Sequence, residues 1–115
     1  MAVTRTIDAT TSFNAAGAFV FDTSGFTKVN IQLVTPASSI SFLTSNDPGA
    51  VQGVSDGGSF SAKNFTALTG TNVASATGVT SLATSGDVSF NEFGRFIQLT
   101  GTTAAKILIS LTNIV

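Results

Sequence analysis

Apolar residues recur at every second position along much of the chain. In Lys28–Val34, Val29, Ile31 and Leu33 fall on one side of an extended backbone, and Asn30 and Gln32 on the other. In Ser39–Leu43, Ile40 and Phe42 oppose Ser39 and Ser41. In Lys106–Thr112, Ile107, Ile109 and Leu111 alternate with Lys106, Leu108, Ser110 and Thr112. A period of two marks strands with one buried face. Turn-forming clusters punctuate these runs at Asp22–Gly25, Asn46–Gly49, Ser55–Gly58 and Ser85–Asp87. The pattern predicts strands over Val3–Ile7, Ala18–Asp22, Lys28–Thr35, Ser39–Ser45, Ser59–Phe65, Val79–Ala83, Arg95–Thr100 and Lys106–Asn113. Short strands with frequent turns imply an all-β fold, a single antiparallel β-sandwich of jelly-roll-like type spanning residues 1–115.

From Thr66 to Ser89, 17 of 24 residues are Thr, Ser, Gly or Ala, and only Asp87 is charged. Two readings fit: a long loop with a short strand, or an arm that pairs with a neighbouring subunit. There is also an internal echo. Phe26–Val34 followed by Ser39–Asn46 resembles Phe93–Thr100 followed by Lys106–Asn113. Each has Phe, a spacer, a cation (Lys28 or Arg95), then Ile-Gln-Leu, a turn and a second strand. Either two hairpins of similar composition converged, or two hairpins are placed alike in facing sheets.

Composition changes the picture in two ways. Only 11 of the 115 residues are charged, 32 are Ser or Thr, and the net charge is −1. Mean hydropathy is +0.41. An ordinary soluble domain is about 25% charged. The surface is therefore neutral and hydroxyl-rich, a kind poorly protected against association. No basic stripe is present for nucleic acid. No apolar leader and no run of about twenty apolar residues is present, so neither export nor a membrane span is expected.

The chain also has no His, Cys, Trp or Tyr. Its many hydroxyls thus have no imidazole to activate them, and there is no thiolate nucleophile. Asp47, Asp56 and Glu92 lie in or near loops, but no spacing pairs them for acid–base work. No glycine-rich phosphate loop is present. The expectation is a non-enzyme without a cofactor. Asn46, Asp47 and Asp56 form a weak candidate calcium set on adjacent loops, although turn chemistry alone accounts for them. Ten Phe without Tyr or Trp favour dry contacts over sugar stacking. Phe19, Phe21, Phe42, Phe60, Phe90 and Phe96 sit on or beside the expected strands. All ten fit a core, or some serve subunit contacts.

A resemblance rests on two segments. Val29–Asp47 is similar to a hairpin of small virion proteins of tailed bacteriophages, in which an aliphatic strand and turn lead to an aromatic–Ser–Asn–Asp–Gly stretch. Glu92–Thr112 is similar to their closing hairpin: aromatic, Gly, Arg95, aromatic, alternating aliphatics, a Gly-Thr turn and a final strand. Together they cover about 40 of 115 residues. This chain departs in having Pro48 after Asn46-Asp47, and Phe96 where the pattern has Tyr. The resemblance implies a structural virion component such as a capsid decoration (cement) protein, made and assembled in the host cytoplasm. Its partners would be the major capsid protein or other virion proteins and further copies of itself, with a trimer favoured. Candidate interface residues are Met1, Ala2, Val3, Ile114 and Val115 at the ends, with Leu68, Val73, Val79 and Leu82 in the Thr66–Ser89 stretch. The alternative is a carbohydrate- or receptor-binding module on a fibre or tail, with its site among the Ser45–Gly58 loops.

Overall fold

A computed structural model describes residues 2–47 and 64–114. Eleven strands and one short helix follow in the order β1 (Ala2–Asp8), α1 (Thr10–Ala16), β2 (Ala18–Asp22), β3 (Lys28–Pro36), β4 (Ile40–Ser45), β5 (Thr66–Ala67), β6 (Gly70–Asn72), β7 (Thr77–Val79), β8 (Ser81–Leu82), β9 (Gly86–Phe90), β10 (Phe96–Thr100) and β11 (Ala104–Ile114). One sheet has the order β1-β11-β3-β9-β6-β7, and the other β2-β10-β4-β5 with β8 also on β4. All pairs are antiparallel.

The connectivity defines the fold class. β1, β2, β3 and β4 alternate between the sheets. β5 stays beside β4, and β9, β10 and β11 alternate again. Each strand of the first set lies beside strands of the second, so two Greek keys interlock. This is a jelly-roll β-sandwich. The β6–β7 hairpin extends the first sheet beyond β9.

The alternation that predicted the strands also builds the core. Val29, Ile31 and Leu33 of β3, Ile107, Ile109 and Leu111 of β11, and Val88 and Phe90 of β9 face inward from one sheet. Phe19, Phe21, Ile40, Phe42, Ile97 and Leu99 face them from the other, and all are at most 3% exposed. Phe42 meets Phe90 across the sandwich edge-to-face, with ring centroids 5.2 Å apart. Such a pair contributes about 0.5–1.5 kcal/mol beyond its buried area. Every described Phe is buried or partly buried, including Phe26, Phe65 and Phe93.

Several expectations are corrected. Lys28–Ser45 and Arg95–Asn113 do not form hairpins. β3 and β4 lie in different sheets, as do β10 and β11, while β3 pairs with β11 and β4 with β10. Side-chain period reports which face is buried, and it is the same for a hairpin and for an arch between sheets. The echo therefore marks equivalent places in the two Greek keys, β3–β4 in one and β10–β11 in the other.

Thr66–Ser89 folds onto its own chain. It supplies β5 through β8 and most of β9, and its strands pair with β3 and β4. The expected strand Val79–Ala83 is broken at Thr80, whose carbonyl accepts from Phe42 N–H at 2.9 Å. The expected strand Ser59–Phe65 lies mostly outside the described residues, and Asn64 and Phe65 are not in a strand.

Helix α1 was not expected. Its seven residues bury only Phe13, and Gly17 ends it in the left-handed region, its N–H donating to Phe13 O. Asn14 fixes it to β11 through two bonds. Its Nδ2 donates to Ala104 O at 2.9 Å, and its Oδ1 accepts from Ala104 N at 3.0 Å.

Candidate interaction surface

The outer face of the first sheet carries the polar half of the alternation. β1 contributes Thr4, Thr6 and Asp8, β11 contributes Lys106, Leu108, Ser110 and Thr112, and β3 contributes Lys28, Asn30 and Gln32. The ladder sets Thr6 beside Ser110 and Ser110 beside Asn30. One step along, Asp8, Leu108 and Gln32 lie in a row. A shallow groove of about 270 Å³ crosses these three strands, lined by Thr6, Asp8, Asn30, Gln32, Leu108 and Ser110, with Ile7 and Ile109 below. Leu108 is 38% exposed, one of three large apolar side chains that reach the surface among the described residues. The side chains of Thr6, Asn30, Gln32 and Ser110 have no hydrogen-bond partner among the described residues. The groove thus surrounds an apolar patch with uncommitted amide and hydroxyl groups.

One wall of the groove is fixed by Asp8. Its Oδ1 accepts from Thr10 Oγ1 at 2.6 Å and from Thr10 N at 3.1 Å. Thr10 Oγ1 in turn accepts from Ile107 N at 3.0 Å, so the start of α1 is joined to β11 through this hydroxyl. Asp8 Oδ2 lies 3.4 Å from Lys106 Nζ. The Thr10 hydroxyl and N–H, with a smaller contribution from Lys106, hold the Asp8 carboxyl below the usual carboxylate range despite a small opposing effect of burial.

The outer face of the second sheet is closed. Val20 and Phe96 are buried there with Phe65 packed against them. Gln98, between Val20 and Leu43 in the ladder, is also buried. Arg95 crosses the Phe96 ring at 5.1 Å and sits 3.7 Å from Asp22.

The residues singled out from sequence are scattered. Asn46 Oδ1 accepts from Arg95 N at 2.9 Å, and Asp47 Oδ2 accepts from Asn64 Nδ2 at 2.8 Å. These oxygens brace the loops at one end of the sandwich. Asp56 lies outside the described residues, which contain no group of three His, Cys, Asp or Glu able to hold a metal. Leu68 and Leu82 are buried in the core of their own chain, with only 6% and 7% of their surface exposed, because β5 and β8 flank β4. Val79 is partly buried against the same core. Val73 and Val3 are exposed by 55% and 52%, at the tip of the β6–β7 hairpin and on β1. Ala2 and Ile114 pair with each other in the β1–β11 ladder, and Met1 and Val115 lie outside the described residues.

The chain is similar in fold to the SPBc2 prophage-derived protein YomS. The crystal structure of YomS superposes with a TM-score of 0.69 at 14% identity, over 98% of this chain and 96% of that one. The likeness takes in the whole sandwich rather than one sheet, and at this identity it is a likeness of fold. No family model and no curated protein sequence matches the chain. Sequence reasoning missed the groove. Its polar residues are the outward half of strands read for their inward half, and only the order β1-β11-β3 brings them together.

Proposed function

We propose that the chain is a structural component of a tailed-phage virion, most specifically a capsid decoration (cement) protein that acts as a homo-oligomer against the major capsid protein. The observation that carries this reading is the end-to-end fold likeness to a prophage-derived protein. The neutral, hydroxyl-rich surface supports it, since such a surface favours association through buried area rather than charge pairing. The host cytoplasm would be the place of assembly and the virion the final location. The test is mass spectrometry of purified particles from the phage that encodes the chain. The expected result is a fixed copy ratio to the major capsid protein that survives density-gradient purification. Recovery only in the soluble lysate fraction would refute it.

A second reading is favoured by the groove. Amide and hydroxyl side chains around Leu108 match the hydroxyls and the apolar C–H face of a neutral saccharide, consistent with a receptor-binding module on a fibre or tail. In this reading the groove on the first sheet would be the site; the Ser45–Gly58 loops lie mostly outside the described residues. Glycan-array binding abolished by Gln32→Ala would support it. An array without signal would remove it.

A further inference from the structure

β1 is hydrogen-bonded on one side only. It pairs with β11, and among the described residues no strand lies on its other side. The phase of the ladder says which groups face that open edge. Ala9 N donates to Ile107 O at 2.9 Å. In the same register Val3, Arg5 and Ile7 direct their backbone groups to β11. Alternation then turns the N–H and C=O of Thr4, Thr6 and Asp8 outward. Thr4, Thr6 and Asp8 are all exposed.

Natural edges are shielded by shortness, charged side chains, Pro or a bulge. β1 has seven residues, pairs without interruption over its whole length and contains no Pro or Gly; its charges are Arg5 and Asp8. The opposite edge of the sheet, β7, has three residues. A long edge without Pro or bulge is a template for another strand in a register that keeps its like charges apart.

We propose that a second copy of this chain covers the edge: two β1 strands pair antiparallel about a twofold axis at Thr6, joining two six-stranded sheets into one. The chemistry of β1 selects the register. A twofold axis perpendicular to the sheet opposes residues of the same parity. An axis at Arg5 would set the two Arg5 side chains directly opposite, at the close spacing where like charges destabilise. An axis at Thr4 would oppose Val3 to Arg5 and leave Asp8 without a counterpart. An axis at Thr6 sets each Thr4 hydroxyl opposite the Asp8 carboxylate of the other copy, and lays the Arg5 alkyl stem beside Ile7. Thr6–Thr6 and the two Thr4–Asp8 pairs then make about six backbone hydrogen bonds. Thr6 and Asp8 also line the groove, so the two grooves flank the axis. The assembly is a closed dimer, in place of the trimer favoured by sequence, and it stands whether or not the chain is a virion protein.

The test is solution mass by light scattering across a dilution series, on the wild-type chain and on Thr6→Pro. Proline at an outward-facing edge position removes the N–H offered to the partner and leaves the β11 ladder intact. The wild type is expected at twice the 11.6 kDa chain mass. Thr6→Pro is expected at the monomer mass with an unchanged circular dichroism spectrum. If Thr6→Pro does not fold, Thr6→Cys decides. The chain has no cysteine of its own, and a hydrogen-bonded antiparallel pair at about 5.5 Å between Cα atoms lies within disulfide range. Thr6→Cys is expected to crosslink on oxidation. Thr4→Cys is not, since its copies would lie roughly 13 Å apart along the strands. A monomeric or trimeric wild type, a dimer that survives a folded Thr6→Pro, or crosslinking through Thr4→Cys in preference to Thr6→Cys overturns the proposal.

Discussion

Gly70 marks the closest approach of backbone to core in β6. A Cβ placed there would lie 2.5 Å from the side chains of both Phe90 and Val88. Both are inward residues of β9, so neither can move without disturbing the sandwich. Gly70→Ala is expected to destabilise by about 1–3 kcal/mol, read as a lower urea midpoint at unchanged slope. Asp8 is a different case, because its contribution depends on pH. Its native pKa is depressed, chiefly by Thr10. The folded chain therefore holds this proton less tightly than the unfolded one. The resulting stability is fully present above the unfolded carboxylate value of about 3.9 and is lost as pH falls through the lower native value. Thermal melts of Asp8→Asn should show a shallower loss of stability below about pH 5 than the wild type. An identical acid limb in both proteins would count against this role. Asn46 and Asp47 show what sequence could convey at this scale. Their residue types announce a turn and admit calcium only weakly. Their contacts with Arg95 N and Asn64 Nδ2 are between residues far apart in sequence, which local turn chemistry cannot specify.

The elements divide by how much apolar pattern each carries. β3, β4, β10 and β11 were legible because their alternation is long and their inward residues are large. β9 carried the same signal in Val88 and Phe90, but Ser85–Asp87 reads as a turn and hid it. β6 and β7, Gly-Thr-Asn and Thr-Gly-Val, have too few apolar residues to declare a face. Helix α1 has one buried side chain and no side-chain cap, so its evidence in sequence reduces to Phe13 and Gly17. Tertiary contacts stabilise it, as expected for a helix far shorter than one stable alone. Asn14 is the main polar tie. Asn14→Ala removes both bonds to Ala104 and is expected to cost about 1–2 kcal/mol, with faster amide exchange at Ala104. Unchanged protection at Ala104 would show that Phe13 and the Thr10 hydroxyl hold the helix without Asn14.

For the whole molecule, strand identity and strand partnership are separate kinds of information. The first follows from local periodicity. The second depends on contacts far apart in sequence, such as Asp8 with Leu108 and Asn30 with Ser110. The repeated Ile-Gln-Leu motif carried a trace of the larger order, since β3 and β10 hold equivalent places in interlocked Greek keys, but it could not say which strands touch. The groove on the first sheet was illegible for the same reason. β1 and β11, from the two ends of the described chain, meet β3 to form it, and Leu68 and Leu82, which looked available for partners, are core. What remains outward is a broad polar sheet face with Leu108 at its centre and an open β1 edge.

The proposed role as a virion subunit can be read from co-sedimentation of the purified chain with heads of its phage from which the chain has been deleted. The expected result is saturable binding at a fixed stoichiometry to the major capsid protein, with little change between low and high salt because so few charges are available to be screened. Heads that bind no chain at any concentration would contradict it.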